Sequence, residues 1–341
     1  MRSLYPVNLL NDMTSRTHPV TGKIIVAALY KFVHLPDFRE LRLPLLEQCR
    51  KNSIKGTFLL AEEGINGTIA GFRNGIDTVL NYLRSDARLS DLEHKESHDD
   101  HMPFYRMKVK LKKEIVTMGR PDIDPRQKSG KRASTKEWNA LLVDPEVLII
   151  DTRNQYEFEI GTFRNTVSPN TSTFSKFPDY VERELNPEKH KKIAMFCTGG
   201  IRCEKATSYL LHHGFKEVYH LNGGILKYLE EVKPEENLWQ GECFVFDRRV
   251  AVDKNLEKGS HEICYSCRMP VSPAERKSPK YEQGISCPRC IDTLTEKKRA
   301  SLRERQLQVR LAESHQDQHI GIPVEEKRKK RQSVQSENLS L

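Results

Sequence analysis

Cys197 and Arg202 stand five positions apart with two glycines between them, in the run Cys197-Thr198-Gly199-Gly200-Ile201-Arg202. These residue types at this spacing are suited to thiolate chemistry. The residues before the cysteine, Lys192–Phe196, read as a short buried strand, and residues 204–211 read as the first turns of a helix with Ala206 and Leu210 on one face. Glycines let the backbone curl so that several N–H groups point inward, and a cup of N–H donors over a helix N-terminus is an anion site. The same field favours thiolate over thiol, so the Cys197 pKa is expected below the free value of about 8.5. The alternative, an inert buried cysteine at a strand end, does not account for the glycines or for Arg202.

The loop resembles the active-site loop of rhodanese-type sulfurtransferases. Tyrosine and dual-specificity phosphatases have a similar layout with one more residue between cysteine and arginine, sized for phosphate. Here the sixth position is Cys203, and the shorter ring suits one sulfur atom or a small group on sulfur. The sequence therefore points to a cysteine nucleophile and away from a phosphatase. Asp151 and Arg153, at the end of the strand 147–150, either tie loops around the cup or help shape its electrostatics. Cys203 is either a resolving thiol or merely packed.

A second group of residues points to metal. Cys264-Tyr-Ser-Cys267 is followed after nineteen residues by Cys287-Pro-Arg-Cys290, a spacing that predicts tetrahedral zinc on four thiolates. Such a site is structural because four thiolates leave no open position. An active dithiol explains only one pair at a time, and iron on the same four thiolates is the main chemical alternative.

The elements that carry these residues divide the chain into segments. Residues 1–20 form an extension. A first domain, 21–118, reads as strand 24–33, helix from Asp37 with Glu40 as capping partner, strand 55–61, a turn at Gly64–Gly67, strand 68–70, a helix capped by Asn74, and a fourth strand 104–111. That order is a ferredoxin-like split βαβ sandwich. Residues 119–135, rich in proline and charge, read as a linker whose Arg126, Lys128, Lys131 and Arg132 are candidate RNA contacts. Residues 136–236 alternate short strands and helices, predicting a mostly parallel sheet with functional loops at its strand C-termini. Residues 237–291 hold an aromatic arm, with Arg248 and Arg249 as further candidate RNA contacts, and the four cysteines. A charged helix from Thr293 to about residue 314 and a basic tail complete the reading of 292–341. The fold class is therefore α/β, with a ferredoxin-like α+β domain, a rhodanese-like domain and a four-cysteine appendage.

Composition limits the function classes. In 341 residues, 56 Lys and Arg against 47 Asp and Glu give a net charge of +9, compatible with an anionic partner. No apolar run approaches the roughly 20 residues of a membrane span. Eight cysteines in a chain this long, four of them in pairs with metal spacing, point to a reducing compartment; the expected location is the cytoplasm. Composition leaves the oligomeric state open.

Longer stretches extend the resemblance. AEEGINGTIAG at 61–71, EWN at 137–139, IDTRNQYEFEIGTF at 150–163, FCTGGIRCEKA at 196–206, LNGGILKYLE at 221–230, WQGECFVFDRRVAV at 239–252 and the block 264–290 are together similar to the rhodanese-domain family of tRNA uridine hydroxylases. The resemblance covers about residues 22–291. It implies oxygen-dependent conversion of the wobble uridine of the tRNA anticodon loop to 5-hydroxyuridine. In that reading Cys197 is the essential cysteine, Arg202 completes the loop, molecular oxygen is the co-substrate and the N-terminal domain helps to seat the tRNA. No flavin, haem or nicotinamide site is evident in the sequence. Two alternatives stand beside it: a sulfurtransferase carrying a persulfide on Cys197, and a non-catalytic tRNA- or protein-binding module.

Overall fold

The computed structural model describes residues 23–314; the N-terminal extension and the basic run 327–331 lie outside them. Strand β1 (Ile24–Phe32) is apolar nearly throughout because both of its faces are covered. Ile25, Ala27 and Leu29 enter the core beneath two helices, α1 (Arg42–Lys51) and α2 (Arg73–Arg84). Val26, Ala28 and Tyr30 alternate with them and face the opposite way, as the two-residue period of a strand requires. The sheet is completed by β2 (Lys55–Ala61), β3 (Gly64–Gly71), β4 (His94–Asp99) and β5 (Met107–Leu111), in the order β4-β1-β3-β2-β5.

This is the expected ferredoxin-like sheet with one correction. Its fourth strand is HKESHD, which pairs with β1 antiparallel, whereas the expected strand at 104–111 is a fifth, added parallel to β2 on the far edge. The sequence of β4 conceals it, since polar and charged residues on both of its faces, as edge strands often carry, leave no apolar alternation to read. Three local expectations also shift. The hairpin turn is Glu62-Glu63, and Gly64–Gly67 already belongs to β3; a Cβ on Gly64 would lie 2.0 Å from the Lys31 carbonyl. Asp37 does not cap α1: its carboxylate accepts from Arg88 at 2.9 Å. Asn74 lies inside α2, whose N-cap is Phe72.

The second sheet is fully parallel, in the order β6-β11-β10-β7-β9. Its strands are β6 (Lys131–Ala133), β7 (Val147–Asp151), β9 (Thr166–Val167), β10 (Lys192–Phe196) and β11 (Glu217–Leu221), with the short β8 (Gly161–Phe163) outside it. β6 falls in the expected linker, so residues 131–133 are an edge of the sheet. Ser134 and Glu137 then form a capping box that starts α3 (Thr135–Val143). The remaining helices of this unit are α4 (Gln155–Phe158), α5 (Phe177–Glu184), α6 (Ile201–His212) and α7 (Gly224–Glu231). An aromatic cluster of Trp138, Phe163, Phe196, Tyr228 and Trp239, with edge-to-face pairs at 4.9–5.7 Å, fills one side of the sheet. Trp239 brings the aromatic arm into that core through β12 (Trp239–Gly241), paired with β8.

Two short hairpins follow, β13 (Cys243–Phe244) with β14 (Ala251–Val252) and β15 (Glu262–Ile263) with β16 (Pro270–Val271). They lead to α8 (Pro273–Arg276) and α9 (Glu296–Ser314). The last helix begins three residues later than expected, where the Thr295 hydroxyl accepts from the Lys298 amide at 3.3 Å. None of the described helices is long and apolar enough to cross a membrane.

Candidate active site

Cys197 directly follows β10, and α6 begins at Ile201, three residues earlier than the sequence suggests. The early start depends on Gly200, whose φ of 98° is a left-handed conformation that favours glycine. With the helix starting there, the Gly200 amide donates to the Cys197 sulfur at 3.1 Å. The loop is held from behind by the turn after β11. Ile225 and Leu226, at the start of α7, donate their amides to the Cys197 and Thr198 carbonyls at 2.9 and 3.0 Å. Gly224 permits that approach, since a Cβ there would stand 2.5 Å from the Cys197 carbonyl oxygen.

Burial pushes the Cys197 thiol up. The Cys203 thiol, the Arg202 guanidinium and the Cys203 and Gly200 amides more than offset that, holding it at about 5. The second cysteine moves the opposite way: burial and the neighbouring Cys197 thiolate raise Cys203, although the Thr152 hydroxyl lies 3.4 Å from its sulfur. Of the two thiols, Cys197 is the one held as thiolate.

Arg202 does not present an open guanidinium to the cup. Its two terminal nitrogens donate to the two oxygens of Glu157 at 2.7 and 2.9 Å, and one also reaches the Thr198 hydroxyl at 3.3 Å. Glu157 is fully buried, and although burial raises its pKa, Arg202 and then Arg153 hold it below the usual carboxylate value. Nothing local in the sequence singles out Glu157; it comes forward only because α4 is folded under the loop. Asp151 and Arg153, both fully buried, form a fork-shaped pair at 2.6–3.1 Å, and Arg153 also donates to the Gly161 carbonyl at 2.5 Å. The Arg153 guanidinium lies over the Phe196 and Trp239 rings. That pair ties β7, β8 and the arm together beneath the cup.

The first domain supplies the other half of the site. The helix-free face of its sheet is turned toward the cysteine loop, and the two enclose a cavity of about 460 Å³ lined by Tyr30, Lys95, Phe104, Cys197, Thr198 and Phe246 among others. Cys197 forms part of this wall and is itself fully buried. Consecutive residues of α6 hold the domains in register. Glu204 accepts from the Tyr30 hydroxyl at 3.0 Å, and the Lys205 ammonium, itself fully buried, donates to Glu63 and Glu114 at 2.7 Å each. Tyr30, Lys95, Glu63 and Glu114 are absent from the sequence-derived site because each lies about 90 or more positions from the residue of the cysteine loop or α6 that it meets.

The four cysteines converge. Their sulfurs all lie within 4.8 Å of one another, with Cys264–Cys290 at 3.8 Å, Cys267–Cys287 at 3.7 Å and Cys287–Cys290 at 3.8 Å. Four thiolates around zinc at about 2.3 Å have edges of about 3.8 Å, so the cluster fits that ion. Arg289, between the last two cysteines, pairs with Glu159 at 2.6 Å and with Glu275 at 3.2 Å. The cluster is thereby anchored beside α4.

The candidate RNA contacts fare unequally. Arg126 pairs with Asp124 at 2.7 Å, Arg132 with Glu204 at 2.8 Å, and the Lys131 ammonium lies 5.5 Å from the centre of the Tyr219 ring. Lys128 reaches the Leu211 carbonyl at 3.3 Å. Arg248 is exposed and stacks 4.4 Å over Tyr105. Arg249 is a correction: it is 2% exposed, donates to Ser97 at 2.8 Å and pairs with Asp247, so it joins the arm to the first domain and has no free face for RNA.

Comparison with known proteins finds two separate domain matches. Residues 24–115 match the UPF0176 acylphosphatase-like domain and residues 134–231 match the rhodanese-like domain, a combination consistent with the UPF0176 rhodanese-domain family. Similar solved structures include a protein of unknown function from Rhodopseudomonas palustris, 23% identical over 35% of this chain and 95% of that one, with a TM-score of 0.28. A rhodanese-related protein from Thermoplasma volcanium is 20% identical over 30% and 95%, with a TM-score of 0.25. A rhodanese-like domain protein from Staphylococcus aureus is 26% identical over 29% and 90%, with a TM-score of 0.25.

Proposed function

We propose that this chain, which joins a UPF0176 acylphosphatase-like domain to a rhodanese-like domain, is a cysteine-dependent tRNA uridine hydroxylase that forms 5-hydroxyuridine at the wobble position. The observation that carries the reading is the cavity above Cys197. At about 460 Å³ it far exceeds the space one transferred sulfur needs, and it falls within the roughly 300–1,000 Å³ of sites for ring-sized ligands. Tyr30, Phe104 and Phe246 among its walls suit a flat base. An anticodon-loop uridine is already unpaired, so its entry costs less than extrusion from a duplex.

In this reading the Cys197 thiolate adds to C6 of the ring, which makes C5 electron-rich. Molecular oxygen supplies the atom gained at C5; taking its second atom to water requires two electrons from a reductant outside the chain. The four-cysteine site takes a structural zinc, with no position left for substrate. The tRNA body is held by phosphate contacts on exposed basic residues such as Arg248 and Lys128. The test compares tRNA nucleosides from cells with the wild-type gene, without it, and with Cys197→Ser. Loss of 5-hydroxyuridine and its derivatives in the latter two supports the reading, and unchanged levels overturn it.

A second reading is a sulfurtransferase with a persulfide on Cys197. The rhodanese-like domain and the amide donated to the sulfur favour it. The closure of Arg202 on Glu157 counts against it, since that guanidinium is not free to receive the sulfonate of thiosulfate. Rapid thiosulfate-to-cyanide turnover that vanishes in Cys197→Ser would favour this second activity.

A further inference from the structure

Two lysines are buried around the cysteine loop, and their surroundings differ. Lys205 is enclosed by two carboxylates at 2.7 Å, the arrangement expected of a buried cation that holds structure together. Lys95 is 8% exposed and forms no ion pair among the described residues. Its ammonium reaches one partner, the Gly199 carbonyl of the cysteine loop at 3.3 Å, and sits 4.8 Å from the centre of the Tyr30 ring. It comes from β4 of the first domain, where the register sets it opposite Ala28 on the face turned to the cavity. An ammonium has three N–H donors, and burying one with a single long hydrogen bond is costly unless something else meets it. The space beside it is the cavity that Cys197 also lines.

We propose that Lys95 is a catalytic residue of this composite site, the donor that receives the ligand's ring carbonyl oxygen as Cys197 adds to the ring. The inference rests on the hydroxylase reading above and assigns the group that makes the addition feasible. When the sulfur lone pair forms the S–C6 bond, the C5=C6 electron pair shifts and negative charge collects on the carbonyl oxygen at C4. No proton or electron leaves the pair of reactants in this step, and expulsion of the sulfur reverses it. The oxygen needs a fixed donor at the moment its charge develops. Of the cations that line the cavity, Arg202 is closed on Glu157, Arg249 is held by Asp247 and Ser97, and Lys112 is exposed to solvent; Lys95 is the buried one whose donors are free for that oxygen. The first domain thereby completes the reaction site in addition to any part it has in seating RNA.

The test uses the full chain and an anticodon stem–loop RNA carrying 5-fluorouridine at the wobble position. The readout is the rate at which a denaturant-stable protein–RNA adduct forms, followed by gel and mass. Lys95→Gln is expected to slow adduct formation about 100-fold, the scale seen when one oxyanion donor is removed, and Lys95→Arg to restore most of the rate. Alkylation of Cys197 by iodoacetamide in Lys95→Gln should stay near the wild-type rate, showing that the loop is intact. Adduct formation by Lys95→Gln at the wild-type rate overturns the proposal and leaves the hydroxylase reading standing. Equal slowing of adduct and alkylation also overturns it, because Lys95 would then only position the loop. Absence of any adduct in the wild type overturns the addition step itself, and the role of Lys95 with it.

Discussion

Arg202 and Glu157 face each other as a fork on a fork, at 2.7 and 2.9 Å, with the arginine side chain 9% exposed and the glutamate fully buried. The arginine of the cysteine loop is thus neutralised by its own protein. It orients the loop and lowers the Cys197 pKa without offering an open anion clamp.

Breaking that fork on one side should be costly. Glu157→Gln leaves a buried guanidinium uncompensated and is expected to lower stability by about 3–5 kcal/mol, read by urea denaturation. The double variant Glu157→Gln with Arg202→Met should recover part of the loss, because two apolar or neutral groups replace one stranded charge. A single variant as stable as the wild type would show that the fork carries no weight in the fold.

The reactivity of Cys197 should follow its lowered pKa. The thiolate is the nucleophile, so alkylation by a reagent small enough to enter the cavity rises with pH through a midpoint near 5 and is flat by about pH 7. Arg202→Met and Cys203→Ala each remove a group that favours the thiolate, and each should move the midpoint upward. A wild-type midpoint near that of a free cysteine would remove the electrostatic account of the loop.

Metal removal should act at a distance from the sheet. About one zinc per chain is expected on Cys264, Cys267, Cys287 and Cys290, and Cys287→Ser or a strong chelator should release it. The segment around the cluster then loosens while the parallel sheet stays folded, since its aromatic core is built from residues 138–239. Metal analysis alongside limited proteolysis checks both parts. Iron in place of zinc would give a coloured protein.

The two neighbouring arginines of the arm should behave oppositely. Arg248 is exposed on Tyr105, so Arg248→Ala should weaken tRNA binding and reduce its salt slope by about 1, with stability unchanged. Arg249→Ala instead strands the buried Asp247 and should cost stability on the order of 3 kcal/mol. Binding titrations at two salt concentrations and thermal melts separate the outcomes; a reversed pattern would refute the assignment of the two side chains.

The sequence by itself determined what is local. The cysteine loop lies within six residues, and each Cys-x-x-Cys pair within four, so type and spacing alone define the chemistry. The parallel sheet followed from short apolar strands alternating with helices. Tertiary structure decided everything that depends on residues distant in the chain. β4 was illegible because both of its faces carry polar or charged residues, so it lacks the apolar alternation that marks a strand. Its Lys95 nevertheless ends against Gly199, 104 positions away. Glu157 closes on Arg202 only because α4 folds beneath the loop. Arg248 and Arg249 are adjacent and identical in type, yet one is exposed and the other buried. The two sit in the turn between β13 and β14, where backbone geometry and packing send neighbouring side chains to opposite surroundings, and no pattern of residue types along the chain records which of the two faces the core.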